Sequence, residues 1–515
     1  MDLAIKIILL VLFFGVMVGV GIYCRKNATD VNGFVLGGRS VGPWLTAFAY
    51  GTSYFSAVIF IGYAGQFGWK FGIASTWIGI GNALIGSLLA WVILGRRTRI
   101  MTQHLSSSTM PEFFGKRFDS KGLKIGASMI TFVFLIPYTA SLYNGLSRLF
   151  SMAFHIDYVW CIVAMSVLTG IYVIAGGYMA TAINDFIQGI IMLFGIVAVI
   201  AAVLMNQGGF MEALNGLAQV QDPSVTTTPG AFNSFFGPDP LGLLGVVILT
   251  SLGTWGLPQM VQKFYAIKHE RDIKKGTIIS TAFALVVAGG CYFLGGFGRL
   301  FDGAAEGGFD NIIPTMLENS NLPAILMAIV VILVLSASMS TLSSLVIASS
   351  STLTIDLLKG NVIKKMDDKK QVRVIRVFIV VFIAISALIA IYQTKSSNES
   401  VKFIAQLMGI SWGALAGAFL APFLYGLYWK KTTKLACWVS FIFGAGIMLL
   451  NLFAKQLFPV FLQSPINCGA LAMIAGLIIV PVVSLISPKP DKKLIDDAFA
   501  CYEKEVPAKQ KNSLD

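Results

Sequence analysis

The stretch Ala49-Tyr50-Gly51-Thr52-Ser53-Tyr54-Phe55-Ser56 runs on through Gly62 and Gly65, inside an apolar segment of membrane-spanning length that is ill-suited to one unbroken helix. A second stretch, Thr250-Ser251-Leu252-Gly253-Thr254-Trp255-Gly256-Leu257-Pro258-Gln259, has the same character. Glycine destabilises a helix interior, and Pro258 removes a backbone donor and clashes with the preceding turn. Each stretch carries a Gly-Thr pair, Gly51-Thr52 and Gly253-Thr254, five spans apart. Glycine and proline also occur at ordinary packing faces of membrane helices, and either stretch alone reads that way. Interruptions at matching positions of two halves point instead to an inverted repeat with a site near the membrane midplane.

The rest of the chain agrees with a membrane setting. Of 515 residues, 56% are hydrophobic and 12% charged, and the mean hydropathy is +0.77. A soluble domain carries roughly twice that charge. The formal charge of +13 does not indicate a nucleic-acid binder, because the basic residues fall in short connections rather than on one stripe. Cys24, Cys161, Cys291, Cys437, Cys468 and Cys501 form no CxxC pair, so neither a disulfide framework nor a zinc site is indicated. His104, His155 and His269 fall at or beyond expected helix ends and make no metal or proton-relay cluster. The absence of a GxxxxGK[ST] loop argues against an ATP-driven pump.

Thirteen apolar runs have spanning length: 3–23, 43–64, 72–95, 124–153, 156–176, 180–205, 240–262, 276–300, 322–354, 374–393, 401–428, 432–454 and 467–487. The first is too long for a signal-peptide core and lacks a cleavage pattern, so it reads as a retained span. Alternate connections differ sharply in charge. Lys6, Lys70, Arg148, Arg299, Lys395, Lys402 and Lys455 lie on one side, and the remaining 31 of 38 Lys and Arg residues lie on the other, including Lys263, Lys268 and the 356–376 connection. The positive-inside rule then places the N-terminus outside and the C-terminal tail in the cytoplasm. The long 206–239 connection carries no Lys or Arg and is expected outside. No soluble domain is expected, and the tail after about residue 488 reads as short, polar and loose.

Two features suggest what the membrane site holds. In Ser336-Ala337-Ser338-Met339-Ser340-Thr341-Leu342-Ser343-Ser344, positions 337, 340, 341 and 344 share one helical face, with Ser336, Ser340 and Ser343 beside them. Single serines in membrane helices commonly bond back to their own helix, but several on neighbouring stripes form an oxygen-rich surface. Sodium is a hard cation that takes oxygen ligands, and an unwound helix opposite, such as Thr52–Ser56, has carbonyls to spare. The second feature is Asp185, about 7 Å inside the expected cytoplasmic helix end at helical rise. It reads as the one acidic residue clearly within a span, and an intramembrane carboxylate is costly unless paired. Its depth also permits snorkelling to the interface.

These residues resemble the sodium:solute symporter family, a branch of the leucine-transporter fold. The likeness extends from Gly37-Gly38-Arg39-Ser40 to Tyr428-Trp429-Lys430 and includes Gly176-Gly177, Asn184-Asp185-Phe186-Ile187-Gln188-Gly189 and Ala337-Ser338-Met339-Ser340-Thr341. It implies an all-α membrane protein of about 13 transmembrane helices. Two inverted five-helix repeats would span 43–205 and 240–428, with an extra helix and cytoplasmic loop in 1–42. The 206–239 segment would be extracellular, two more helices would occupy 429–487, and 488–515 would be a cytoplasmic tail. It implies a sodium ion held by the carbonyls of Thr52, Phe55 and Ala337 and the hydroxyls of Ser340 and Thr341. Some members hold a second ion, for which Asp185, Ser340, Ser343 and Ser344 are the matching residues here, so the cofactor expectation is one sodium ion, or two.

The resemblance also frames the solute. The sugar-transporting branch has a glutamine where this chain has Ile59, and a lysine in the span that here reads 276–300 and contains none. That argues against sugar. The proline branch has an aspartate at the position of Tyr54, and a tryptophan and a tyrosine at Thr250 and Thr254, which argues against proline itself. Ser56-Ala57-Val58-Ile59-Phe60-Ile61-Gly62 is similar to the pantothenate and monocarboxylate branches. The expected cavity lining is Tyr54, Ser56, Tyr138, Thr254, Trp255, Gln406 and Trp412. The expectation is therefore a plasma-membrane symporter importing an amino acid, a carboxylate or a pantothenate-like solute with sodium. Its expected partners are that solute and membrane lipid, with no nucleic acid and no obligate protein partner. A proton-coupled carrier using Asp185, and a solute sensor on the same scaffold, are the alternatives. The hydroxyl cluster favours sodium because hydroxyls do not titrate near neutral pH. An enzyme is not expected, since no nucleophile, base and oxyanion set can be assembled.

Overall fold

In lipid every backbone polar group must be satisfied within the protein, which favours helices. The computed structural model describes residues 2–154, 156–320, 322–360, 362–363, 366–393 and 404–503. Among these residues there is no β-strand, only three isolated bridges. His155, Lys395, Lys402 and the first residues of the expected 401–428 span lie outside the described residues.

The chain opens with α1 (Asp2–Cys24) and continues with α2 (Pro43–Tyr54). After a break it resumes as a π-helical turn (Val58–Tyr63) running into α3 (Ala64–Phe71). Next come α4 (Thr76–Gly81), π-helical stretches at Asn82–Leu89 and Trp91–Gly95, and α5 (Arg96–His104). The long helices α6 (Lys121–Phe154) and α7 (Tyr158–Asn206) follow. Then come α8 (Pro240–Gly256), α9 (Pro258–Tyr265) and α10 (Arg271–Gly295). The last spans are α11 (Ala324–Thr352), α12 (Asp368–Gln393), α13 (Ile404–Tyr428), α14 (Lys434–Phe453) and α15 (Pro465–Ile486), before the short α16 (Lys492–Ala500).

Helices long and apolar enough to cross a membrane number ten among the described residues, or eleven when the bent pair α8 and α9 is taken as one span. The expectation was thirteen, and the difference lies in two continuous helical runs, Val58–His104 and Tyr158–Asn206. At 1.5 Å per residue the 49 residues of α7 extend roughly 70 Å, more than twice a hydrocarbon core of about 30 Å. Gly177 relieves this. Its φ of 57° and ψ of −152° break the helix locally, in a region that residues with a side chain occupy only under strain. A Cβ there would also sit 2.9 Å from the Phe34 carbonyl oxygen. Gly177→Ala is expected to destabilise the protein by about 1–3 kcal/mol, seen as a lower melting temperature in detergent; an unchanged melting temperature would contradict the strain.

Burial separates centre from rim. Over an 18-residue apolar stretch of each helix, α13 is 94% buried and α11 78%, against 22% for α1. Val11, Phe194, Leu388 and Ile442 on the rim helices are exposed and apolar, as lipid contact requires. In the centre Gly253 lets α8 approach α13, since a Cβ would lie 2.7 Å from the Trp412 ring. Asp239 caps α8, its carboxylate accepting from the Gly242 N–H at 2.9 Å and pairing with Lys70 at 2.8 Å.

Three expectations need correction, and one connection gains detail. Lys263 is not in a loop: it lies on α9 and is 2% exposed. Asp185 is not the one acidic residue within a span, because Asp356, expected in the 356–376 connection, lies in the spanning run Ala324–Leu358, is buried and faces Thr109 and Lys124. The 206–239 connection contains a helix, Phe210–Gln219. The tail is not loose up to residue 503: α16 docks through Phe499, over which the Arg117 guanidinium sits at 4.9 Å, and the Tyr502 hydroxyl donates to the Arg97 carbonyl at 2.9 Å.

Candidate functional site

Both interruptions read from the sequence are present. Helix α2 ends at Tyr54, and Phe55 takes an extended backbone with φ −87° and ψ 126°. Helix α8 ends at Gly256, Leu257 is extended at φ −83° and ψ 121°, and α9 departs at 47°. Breaking a helix frees carbonyls that would have accepted bonds one turn on. The Ile59 N–H, the ordinary partner of the Phe55 carbonyl, bonds Ser56 instead.

The freed carbonyls meet the hydroxyl face of α11. The Thr341 hydroxyl lies 3.3 Å from the Thr52 carbonyl, 3.3 Å from that of Ser53, 3.2 Å from that of Phe55 and 3.1 Å from that of Ala337. The Ser340 hydroxyl lies 2.9 Å from the Thr52 carbonyl and 3.1 Å from that of Ala337. Six oxygens thus converge from two elements about 285 residues apart in sequence, four of them carbonyls. A hydroxyl has one proton to donate, so this many acceptors around two hydroxyls is a negative, oxygen-only pocket. All five residues expected at the main ion site are in it. Ser53, which contributes a carbonyl, was missed; its position between Thr52 and the break was the available signal.

Beside this pocket lies a second cluster. The Lys263 ammonium is 3.6 Å from Asp185 Oδ2 and donates to the Ser344 hydroxyl at 2.9 Å. Ser344 in turn lies 2.8 Å from the Ser53 hydroxyl and donates to the Ser340 carbonyl at 3.1 Å. The Ser343 hydroxyl bonds back to the Ser340 carbonyl at 2.9 Å, as an isolated helical serine does. Asp185 is fully buried, so its charge is met by lysine rather than by water at an interface.

The expected solute-lining residues divide. Tyr54 and Tyr138 pack against Trp412, with ring centroids 5.8 and 5.9 Å away. The hydroxyls of Tyr54, Ser56 and Tyr138 and the Trp412 indole N–H are buried, and none completes a hydrogen bond of ordinary geometry. Buried polar groups are seldom left this way, and Tyr54 and Tyr138 bring theirs to the same indole ring. Thr254 and Trp255 instead bond the carbonyls of Gly86 at 3.0 Å and Ile85 at 3.0 Å, on the neighbouring π-helical stretch. Gln406 stands half-buried near the start of α13, on the same helix as Trp412. Gln259, one residue past Pro258, is buried with both side-chain polar atoms unpartnered and was not singled out.

The sodium:solute symporter family model matches residues 34–444. The chain belongs to the sodium:solute symporter family. Within this family it is 28% identical over 493 residues to the osmoregulated proline transporter OpuE of Bacillus subtilis (strain 168), covering 94% of this chain and 96% of that protein. It is 29% identical over 458 residues to the sodium/proline symporter of Staphylococcus aureus (strain JH9), covering 86% and 85%. Among solved structures, a Na+-coupled sialic acid symporter in a substrate-bound outward-open state matches with a TM-score of 0.73 and 18% identity, over 95% of this chain and 99% of that one. The Eremococcus coleocola manganese transporter matches at 0.51 and 14%, over 86% and 95%. The fold is therefore of the leucine-transporter type in a multi-pass membrane protein, and family and relatives are transporters rather than enzymes.

Proposed function

We propose that this family member imports a small amino acid of the proline class together with sodium, by alternating access. The observation that carries the proposal is the six-oxygen pocket between the break in α2 and Ser340 and Thr341 on α11. Hydroxyl and carbonyl oxygens without a carboxylate suit a monovalent hard cation. An ion there ties the unwound segment to α11 and favours whichever conformation holds the two together. Tyr54 and Ser56 flank that same unwound segment, so fixing it also positions the expected solute site. With the basic connections facing the cytoplasm, inward sodium movement supplies about 2.3 kcal/mol per charge per 100 mV.

For the solute, two curated relatives are named for proline. The aromatic faces of Tyr54, Tyr138 and Trp412 suit a small apolar ring or side chain, and the unpartnered hydroxyls and indole N–H suit its charged end. Tyr54 in place of the proline branch's aspartate speaks against proline, but the relatives named for proline outweigh it, and the expectation becomes small amino acids with proline first. Melting temperatures of the purified protein, taken with a solute panel in sodium and in potassium, test this. Proline or a close analogue should stabilise the protein in sodium and much less in potassium, while glucose and galactose should not. Stabilisation by galactose, or by no small amino acid, would overturn the solute assignment.

A further inference from the structure

Lys263 stands out among the buried charges because it sits on the second half of a broken helix, at the oxygens that the family resemblance assigns to a second ion. Its ammonium reaches Asp185 Oδ2 at 3.6 Å and the Ser344 hydroxyl at 2.9 Å, and lies 5.1 Å from the centre of the Tyr178 ring. An ammonium and a sodium ion make the same demand on such a site, namely a compact positive charge met by oxygens. Both cannot occupy it, since two unit charges a few Å apart in a poorly screened interior repel strongly. The cluster also adjoins the six-oxygen pocket. Ser344 meets the Ser53 hydroxyl at 2.8 Å, and the Ser53 carbonyl lies 3.3 Å from Thr341.

We propose that the Lys263 ammonium is a tethered replacement for a second sodium ion, so that each chain binds and moves one sodium ion per cycle. This rests on the reading of the six-oxygen pocket as the sodium site. A tethered cation balances the Asp185 charge from 3.6 Å without being carried across the membrane. Because it belongs to α9, it ties that half-helix to α7 and α11 whenever the cluster is assembled. It therefore does for the packing what a second ion would do, and adds no charge to the transported total.

Equilibrium binding of radioactive sodium to the purified full-length protein tests the proposal. Wild type should bind one ion per chain, and Lys263→Arg should also bind one. Lys263→Met leaves the Asp185 carboxylate facing an empty place and should bind two. The double variant Lys263→Met/Asp185→Asn should return to one, showing that the added ion depends on that carboxylate. Two ions on wild type, or one on a folded Lys263→Met, overturns the proposal while leaving the six-oxygen site standing. No saturable binding to wild type removes the sodium reading itself and this proposal with it. If Lys263→Met does not survive purification, Lys263→Gln, which also lacks the charge, is counted in its place and should bind two.

Discussion

Replacing Thr341 with alanine raises the sodium concentration for half-maximal solute binding by about ten- to a hundred-fold, on the scale of about 1.5–3 kcal/mol for one polar contact to a charged group. Thr341 is the hub of the pocket, its hydroxyl within 3.3 Å of four carbonyls. Alanine removes one ligand and leaves those carbonyls facing one another without a positive partner. Ser340→Ala should do the same to a smaller degree, because Ser340 meets two carbonyls. The solute affinity at saturating sodium should change much less than the sodium affinity, since neither hydroxyl belongs to the expected solute lining. Sodium dependence identical to wild type in both variants would sink the site.

The second large effect is expected from Tyr138→Phe and Tyr54→Phe, which remove one oxygen each and keep the ring. Neither hydroxyl completes a hydrogen bond of ordinary geometry, and both are buried. Leaving a buried polar group unmet costs about 1–3 kcal/mol, so each variant should melt no lower than wild type in the absence of solute. If these hydroxyls bind the solute, each loss should weaken its binding by about tenfold, for a hydrogen bond of about 1–1.5 kcal/mol. Stability held with affinity lost is the signature of groups kept for a ligand. Unchanged solute affinity in both variants would return Tyr54 and Tyr138 to ordinary packing around Trp412.

Much of this was legible in the residues because the signals were local. Pro258 marks one break by backbone chemistry, Gly51 lies one turn before the other, and helical periodicity places Ala337, Ser340 and Thr341 on one face. The count of spans was less legible, because Gly177 and Gly72 turn the chain within continuous helical runs rather than at polar loops. Lys263 was misread for a related reason. By composition it belongs with Lys268 and Arg271 at the basic end of a span, and only the turn at Leu257 carries it inward to Asp185. The partners of Thr254 and Trp255 were not legible, because a polar group one turn from a break looks the same in sequence whether it faces a cavity or bonds the backbone at Ile85 and Gly86.

The central claim is that a sodium gradient drives solute uptake through the pocket at Thr341. Its most direct test is accumulation of labelled proline in proteoliposomes under an inward sodium gradient, with potassium substituted in parallel and the pH gradient collapsed. The account predicts concentrative uptake that requires sodium, survives loss of the pH gradient and shifts to much higher sodium in Thr341→Ala. Uptake of equal size in potassium, driven by the pH gradient and untouched by Thr341→Ala, would contradict it.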